Sequence, residues 1–492
     1  MFRTVLALTL ALSGEPAAAR LDDPAVAAVP KNFEELRTRF GAAIDAERFE
    51  EALVLAKAIA DHRDFAGQPE AYRRAINVLQ GLLNAQLGRS QTALPFLRVE
   101  AARPDSTPGV WMALIEAEAR TDDWTGAARS LTAFLPRFPD ARADLSVPFV
   151  TQVARSPEAD KDARFDLRWA LYRSGWRDEG ASWTWVSLVD YLMARDRLDD
   201  AVRVAGLVTS PYAQLQFRAL RRYDPLTARL GGDFDLAAAL DQTFERDRTA
   251  ATAADATIAQ RNTYAGDLYA RARYAEALAV SDEALAEPET GETASDRTWA
   301  MDTRARVLMA LDRPDEAAVQ QEAAAARKEG DARNISQAIN LGWMYLRLDR
   351  NADALAVVKD MDGEDVSPYG RMQAIQVRAC AAHALGDVAT EQASTAWLKT
   401  HWRDAPGAWR DALACQGDVD GLAALMIEQL ADPDLAPGAV SGMHSYLPEP
   451  GVTAFDRRLI AVRQQALARP DVIAARDAVG RALVVPTLGD QF

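Results

Sequence analysis

The chain has 492 residues, of which 49% are apolar and 26% are charged, and its mean hydropathy is −0.19. This composition supplies enough apolar surface for a sizeable core and excludes a wholly disordered chain. The net charge is −16 at pH 7. Because such a surplus of carboxylates repels a phosphate backbone, we expect no nucleic-acid partner.

The amino terminus has the pattern of a secretory signal peptide. Arg3 precedes an apolar run from Val5 to Leu12, which is followed by the helix-breaking Pro16 and a small-residue stretch that ends at Ala19. This order predicts cleavage near Ala19 and a periplasmic or secreted product. The rest of the chain has no apolar stretch near the ~20 residues that a membrane-spanning helix needs, so we expect no membrane span.

A short motif recurs along the body of the chain. In residues 262–284 the sequence NTYAGDLYARARYAEALAVSDEA places Ala265, Tyr274 and Ala277 at its fixed positions. Other copies have the alanine that corresponds to Ala277 at Ala52, Ala93, Ala127, Ala201, Ala317 and Ala354. Intervals of 34, 40 and 37 residues separate Ala93 from Ala127, Ala277 from Ala317, and Ala317 from Ala354. Such intervals indicate one repeated unit with connecting loops of different length.

These units resemble the tetratricopeptide repeat. The resemblance is strongest from Ile258 to Met361, moderate from Phe33 to Pro139 and weaker elsewhere. It implies antiparallel helix pairs whose backbones meet at Ala or Gly, with larger side chains between successive pairs. Since the chain lacks runs of alternating Val, Ile and Thr, no strand pattern competes. The resemblance therefore implies an all-α fold, a right-handed α-solenoid of antiparallel helix pairs.

Breaks in the motif predict the domain organisation. Two prolines and a Gly-Gly pair interrupt the repeats between Ser210 and Asp235, which favours a division there. Past Gly421 the motif fades, and Thr453 with Asp456 resembles a helix capping box. We expect a signal peptide at 1–19, a flexible segment at 20–32, repeat blocks at 33–209 and 236–420, an irregular break at 210–235, and capping helices at 421–492.

The chain has two cysteines, Cys380 and Cys415, too few for a disulfide framework. They are 35 residues apart, near one repeat length. Equivalent positions on stacked helices lie about 10 Å apart, beyond the ~7 Å limit for bridged Cα atoms. We therefore expect two buried thiols, although an oxidising compartment permits one bridge. Cys380 and His383 have half the spacing of a metal site, but no second ligand pair accompanies them, so we expect no metal.

No catalytic motif is recognisable in the sequence. The four histidines do not form an HExxH pattern. Ser441 is the fourth residue of GAVSG, whereas a nucleophile elbow needs serine in third place. With 72 Asp and Glu residues, any choice of an acid–base pair is arbitrary. We predict a protein that is not an enzyme and has no cofactor, and keep an enzyme with an unrecognised site as an alternative.

The resemblance also implies a binding face. In this family the first helix of each pair exposes a fixed set of positions on the concave side. The well-matched units place there Asn262, Tyr269, Trp299, Asp302, Arg306, Trp343 and Arg347. Aromatic rings, guanidinium groups and an amide together suit an extended peptide. Thirteen acidic and six basic residues from Glu276 to Glu329 give a local charge of −7, so a basic partner is a further option.

These observations predict a non-catalytic scaffold that binds protein or peptide partners in the bacterial cell envelope. An alternative is an accessory protein for envelope polysaccharide handling or export. Tryptophans cluster at residues 169–185 and again at 397–409, and such rings can stack on sugars. Similar repeats also use Trp to fill the space between helices, so the clusters do not decide between core and ligand binding.

Overall fold

The computed structural model describes residues 29–177, 182–231, 236–291, 293–330, 332–361, 363, 366–448 and 451–489. The predicted signal peptide lies outside these residues, as does most of the segment 20–32. The chain divides into two compact units between Val208 and Thr209. The prediction of an all-α, tetratricopeptide-like solenoid is confirmed, since antiparallel helix pairs make up most of each unit.

The first unit is a series of helices joined by short turns. Its helices are α1 (Phe33–Asp45), α2 (Phe49–Asp61), α3 (Glu70–Gln86), α4 (Ser90–Ala101), α5 (Pro108–Arg120), α6 (Trp124–Arg137), α7 (Val147–Arg155), α8 (Lys161–Ser174), α9 (Ser182–Met193) and α10 (Leu198–Ala205). Helices α1 with α2, α3 with α4, α5 with α6, and α9 with α10 form pairs. Leu55, Leu83 and Leu97 belong to the apolar core of the first three pairs.

The second unit continues the series. Its helices are α11 (Pro211–Ala219), α12 (Asp224–Leu230), α13 (Leu236–Ala251), α14 (Ile258–Ala270), α15 (Tyr274–Ala286), α16 (Ala294–Ala310), α17 (Pro314–Ala325), α18 (Ile335–Arg347), α19 (Asn351–Val358), α20 (Pro368–Leu385), α21 (Val388–His401), α22 (Pro406–Cys415), α23 (Val419–Ala431), α24 (Ala436–Ser441), α25 (Ala454–Leu467) and α26 (Pro470–Val479). The five pairs from α14 to α23 each join a first helix to a second helix.

Two small sheets accompany these helices, although the sequence patterns predicted none. Strand β1 (Lys328–Glu329) pairs antiparallel with β2 (Ala332–Arg333) in the turn before α18. Strand β3 (Ser445–Leu447) pairs parallel with β4 (Val484–Gly489) near the carboxyl terminus. Pairs this short add local hydrogen bonds without changing the helical architecture.

The same kind of turn joins the two helices of each pair. One residue in it has a positive φ, between 56° and 72°, and the next N–H donates to the carbonyl five residues earlier, as Arg273 does to Leu268 at 2.8 Å. This is the Schellman closure of a helix. The positive-φ residues are Glu47, Gly88, Asp122, Asp196, Ala272, Asp312, Asp349, Gly386 and Gly417. Their recurrence defines nine repeats in the part of the chain that the structure describes.

Small side chains occupy the closest contacts within the pairs. The seven alanines predicted at the recurring position, Ala52, Ala93, Ala127, Ala201, Ala277, Ala317 and Ala354, are all completely buried. Glycine allows an equally close approach on two first helices, at Gly81 to the second helix of its own pair and at Gly342 to the first helix of the next pair. A Cβ at Gly81 or at Gly342 would lie 2.9 Å from a side-chain carbon of Phe96 or Val377, closer than two carbons normally pack. The predicted register of the repeats is confirmed at these positions.

Cys380 and Cys415 form a disulfide, so the expectation of two buried thiols is wrong. Their Cα atoms lie 5.4 Å apart, and the helices that carry them, α20 and α22, are in contact. Packed helix axes are about 8–10 Å apart, but each Cα lies about 2.3 Å from its axis, so facing Cα atoms approach to about 5 Å. The sequence argument used the distance between axes where the distance between facing Cα atoms applies.

The segment 210–235 contains helices where an irregular break was expected. Pro211 and Pro225 stand in the first turns of α11 and α12. A proline there costs no hydrogen bond, because the first N–H groups of a helix lack partners within it. The prolines that suggested a break therefore begin helices. Residues 232–235, which complete the predicted break, lie outside the described residues.

The residues after α23 do more than cap the repeats. Helices α25 and α26 pack on α22 and α23, the last pair, as a cap would. Beyond α26, Arg481 forms an ion pair with Asp224 at 2.6 Å and donates to the Arg218 carbonyl at 2.9 Å. Strand β4 packs Val485 in an apolar cluster with Leu215 and Leu240. The C-terminal arm, as we call residues 451–489, thus contacts both the first and the last helices of the second unit.

Replacing Ala277 by tryptophan tests the repeat register. Ala277 is completely buried, so the larger ring should overpack the contact of α15 with α14 and lower the free energy of unfolding by about 1–3 kcal/mol. Thermal unfolding followed by circular dichroism measures the effect. Ala279→Trp is the matched control, because Ala279 is exposed on the same helix. Equal melting temperatures for the two variants would contradict the register.

The disulfide should contribute measurably to the stability of the second unit. A bridge that closes a loop of 35 residues is worth about 3–4 kcal/mol in the chain-entropy account. Urea unfolding of the oxidised protein should therefore shift to lower urea on adding dithiothreitol. The Cys415→Ser variant should unfold at that lower concentration with or without the reductant. Titration of two free thiols in the native, unreduced protein would contradict the bridge.

Candidate binding face

The seven residues predicted to contact a partner lie on three first helices of the second unit. Helix α14 carries Asn262 and Tyr269, α16 carries Trp299, Asp302 and Arg306, and α18 carries Trp343 and Arg347. Helices α14 and α16 contact each other directly. The structure gives the seven residues three different environments: one is buried between repeats, two contact the C-terminal arm, and the others are partly or well exposed.

Asp302 is buried, in contrast to the expectation from the sequence. Its side chain is 9% exposed, and Asn340 on α18 donates a hydrogen bond to its Oδ1 at 2.9 Å. Burial raises the pKa of Asp302, while Arg306 and hydrogen bonds from Asn340 and Gln321 act in the opposite direction. The carboxyl group thus links α16 to α17 and α18. Because the next repeat covers it, Asp302 stabilises the stack and does not face a partner.

Tyr269, Trp299 and Arg306 form the exposed part of the predicted face, which we call the aromatic–arginine surface. The Arg306 guanidinium lies 5.7 Å from the centre of the Tyr269 ring, within the range of a cation–π contact. The Arg306 side chain is 52% exposed and Trp299 is 45% exposed. Trp299 lies two turns before Arg306 on the same side of α16. A large ring and a guanidinium group are thus available to a partner.

Asn262 completes the set on α14. It is half-buried, and its Oδ1 atom has no hydrogen-bond partner among the described residues. A buried amide oxygen without a donor is costly. The unpaired Oδ1 atom is itself buried, so Asn262 is less accessible to a partner than Trp299.

Trp343 and Arg347 contact the C-terminal arm. The Phe455 ring meets the Trp343 ring edge-on, with centres 6.1 Å apart. The Nε of Arg347 donates to the Asp456 carboxylate at 3.1 Å. Both side chains in this ion pair are largely buried, 18% exposed for Arg347 and 20% for Asp456. Trp343 and Arg347, the two residues of α18 that were predicted to bind a partner, therefore contact a segment of this same chain.

An open groove of about 650 Å³ lies beside the contact of the arm with the repeats. Gly451, Val452 and Thr453 line one side, and the turn from Met309 to Pro314 lines the other, together with Leu348. Thr453 is extended, and the arm becomes helical at Ala454. The segment that leads to Phe455 and Asp456 thus packs incompletely against the helices below it.

Phe455 and Asp456 are the residues that sequence reasoning missed. The capping box of Thr453 and Asp456 was predicted and is confirmed: Thr453 Oγ1 accepts from the Asp456 N–H at 3.2 Å, and Asp456 accepts from the Thr453 N–H at 2.9 Å. That box marks where α25 begins. It does not indicate which repeat α25 will contact, because the contact depends on the path of the chain after α23.

A pair of carboxyl groups lies where α13 meets α14. The two residues are Asp247 and Asp267, whose carboxyl groups are close enough for the charge of Asp247 to act on Asp267. Burial, and then the charge and hydrogen bond of Asp247, raise the pKa of Asp267 to about 7, against the opposing charges of Arg246 and Arg271. Arg246 also donates to both oxygens of Asp247, at 2.8 and 3.0 Å. With a pKa of about 7, Asp267 is about half protonated at neutral pH, whereas an exposed aspartate has lost its proton there.

Three of the seven tryptophans in the two clusters belong to the core. Trp176 and Trp185 are buried and meet edge-to-face with ring centres 5.9 Å apart. Trp409 is buried as well, while Trp397 stacks on His401 at 4.0 Å. Trp183 is more exposed than these rings. Trp169, Trp397 and Trp402 are half-buried, so the clusters contain both core rings and rings with accessible surface.

Cys380 cannot act as a thiolate ligand while it is bridged, and the neighbouring His383 instead contacts Glu391 at 2.9 Å. Among the described residues, no group of three or more His, Cys, Asp or Glu side chains is placed to hold a metal ion. Within the same part of the chain, no helix is both long and apolar enough to cross a bilayer.

No family model matches the sequence, and no curated protein matches it. Solved helical structures are similar over most of their length. The apo form of RapI has 9% identity and a TM-score of 0.34, covering 88% of this chain and 98% of its own. The structure of the APC/C hetero-tetramer Cut9-Hcn1 has 12% identity and a TM-score of 0.29, and the match covers 91% of this chain and 96% of that one. The Rap protein complexed with Competence and Sporulation Factor has 13% identity and a TM-score of 0.29, and the match covers 89% of this chain and 99% of that one. At such low TM-scores the architecture assigned here rests on the helix pairs and their common turn.

The protonation of Asp267 makes stability depend on pH. The pKa of Asp267 is about 7 in the folded chain and about 3.9 in an unfolded one. Because the folded state binds the proton more tightly, the free energy of unfolding falls as the pH rises from about 4 to about 7. Asp267→Asn keeps a hydrogen-bonding side chain and removes this titration. The melting temperature of this variant minus that of the unchanged protein should therefore increase as the pH is raised from about 5 to about 8.

Asp255→Asn is the control, because Asp255 is an exposed aspartate in the turn after α13. Its melting temperature should follow that of the unchanged protein across the same range. An Asp267→Asn variant that kept the pH dependence of the unchanged protein would show that the proton is not held there.

Proposed function

We propose that the protein is a non-catalytic scaffold that binds a polypeptide partner through first helices of its second unit. One observation carries the proposal: Trp343 and Arg347 already hold a polypeptide segment, through an aromatic contact to Phe455 and an ion pair to Asp456. Contacts of this kind, a buried ring beside a charge-assisted hydrogen bond, are typical anchors of peptide recognition.

The aromatic–arginine surface is the part of the face that the proposed partner contacts directly. Trp, Tyr and Arg are the residue types that contribute most to binding when they are covered at an interface. Trp299 and Arg306 leave about half of their surface accessible, so a partner has apolar area to bury. Arg306 can donate to a carboxylate or to backbone carbonyls of a bound segment.

We place this activity in the cell envelope. The signal-peptide pattern of residues 1–19 predicts export. The bridge between Cys380 and Cys415 supports this location, because structural disulfides persist in oxidising compartments and are rare in a reducing cytosol. Sequencing the amino terminus of the protein recovered from a periplasmic fraction tests the location, with Arg20 as the expected first residue.

Substitution of the aromatic–arginine surface should abolish partner binding without unfolding the chain. Affinity purification from envelope extracts after cross-linking would compare the unchanged protein with a Trp299→Ala/Arg306→Ala variant. A partner retained by the first should be lost or reduced at least about tenfold with the second, as for truncated hot spots. Because Arg306 also lies 3.5 Å from the buried Asp302 carboxylate, circular dichroism must first show that the variant is folded at the assay temperature.

Val319→Ala is the matched control. Val319 lies on the second helix α17 and is 66% exposed, so its loss should leave partner recovery unchanged. Recovery of the same proteins at the same yield with the Trp299→Ala/Arg306→Ala variant would contradict the proposed surface.

A further inference from the structure

The beginning of the C-terminal arm is bound to the repeats as a short peptide is bound to a receptor. Gly451 lies in a bend, Thr453 is extended, and α25 begins immediately afterwards at Ala454. Three successive contacts fix this segment: one at Gly451, one at Phe455 and one at Asp456. Each uses a different chemical property, which gives the site a defined sequence preference.

The first contact requires glycine. Gly451 has a φ of 71°, a conformation that residues with a Cβ rarely adopt. A Cβ at this position would also collide with the backbone carbonyl oxygen of Met309 at the end of α16. The turn after α16 therefore admits only a bare backbone at this point.

The second and third contacts select an aromatic residue followed by an acidic one. Phe455 is 6% exposed and packs its ring against Trp343. Asp456 accepts from Arg347, while its other hydrogen bonds, from the N–H and Oγ1 of Thr453 at 2.9 Å, cap α25. One carboxylate thus both starts the helix and pairs with the receptor. The favoured ligand begins a helix at an aromatic–acidic pair.

The fit of the arm leaves room for a competitor. The groove of about 650 Å³ lined by residues 451–453 and the turn after α16 is open to solvent. A segment with larger apolar side chains at this point would bury surface that the arm leaves exposed. The arm is also covalently attached, so its high local concentration compensates for an imperfect fit.

We propose that Trp343, Arg347 and the turn after α16 form a recognition site for a partner's polypeptide segment that starts a helix with an aromatic–acidic pair, and that residues 451–467 occupy this site as an internal ligand. The inference rests on the proposed function, because it names the kind of segment that the proposed partner presents to the same first helices. The partner must displace the arm before it can bind. Only the fraction of molecules with a detached arm is competent, which reduces the apparent affinity by that fraction.

Release of the arm in the full-length protein tests this inference. The probe is a fluorescent peptide with the sequence of residues 451–467, GVTAFDRRLIAVRQQAL, and binding is read by fluorescence anisotropy. The Phe455→Ala variant loosens the arm and should bind the peptide at least about tenfold more tightly than the unchanged protein. Adding Arg347→Ala to that variant should reverse the gain, because the carboxylate of the peptide then lacks its partner.

Ile460→Ala is the matched control, since Ile460 lies on α25 but is 40% exposed. It should leave the arm bound and peptide affinity unchanged. Equal peptide affinity for the unchanged protein and Phe455→Ala, or a gain that persists with Arg347→Ala, would overturn the inference. Dimers formed by Phe455→Ala in size-exclusion chromatography would overturn the assignment to a partner, in favour of a second copy of this chain.

A charge swap keeps the test decisive if Phe455→Ala melts below the assay temperature. Arg347→Glu repels Asp456 and should release the arm, and it should prefer a peptide carrying Asp456→Arg over the natural sequence by at least about tenfold. Loss of this preference would overturn the inference. A peptide that binds as described, together with unchanged partner recovery by Trp299→Ala/Arg306→Ala, would reject the aromatic–arginine surface and leave the arm site intact.

Discussion

The close approach of helices across small side chains is the constraint on which the second unit depends. Completely buried alanines such as Ala277 and Ala317 bring the two helices of a pair together. Gly342 lets α18 approach α20, the first helix of the next pair, where a Cβ would meet Val377. The same tight spacing brings first helices of successive pairs near enough for Cys380 to reach Cys415. It also places Asn340 of α18 beside Asp302 of α16, which removes that carboxylate from the surface.

The arm converts a stack of repeats into a unit whose two ends are joined. Arg481 and Val485 contact the helices that open the second unit, while α25 and α26 cover the last pair. An open repeat array must cap the apolar faces of its terminal repeats. Here one segment contacts both terminal regions, and on its way it contacts Trp343 and Arg347 of α18. Under the proposed function, the arm and the partner compete for these two residues.

The sequence predicted features that depend on local chemistry and missed those that depend on chain path. The helix pairs, the buried alanines and the Thr453–Asp456 capping box all follow from patterns within one repeat. The burial of Asp302 and the engagement of Trp343 and Arg347 depend on what packs against a helix from elsewhere. The disulfide was missed for a geometric reason, because two facing Cα atoms are much closer than two helix axes. Prolines were misjudged because a first-turn proline begins a helix as readily as it ends one.

The most direct test of the account is hydrogen–deuterium exchange of the intact, full-length protein, followed by mass spectrometry of its peptic peptides. If the arm is an integral ligand of the first helices, amides of residues 454–467 should be protected to a degree comparable with those of residues 335–347, and both should exchange together on mild destabilisation. Rapid exchange across 454–489 while the repeats stay protected would contradict the account, because the arm would then lie off the face that it is described as occupying.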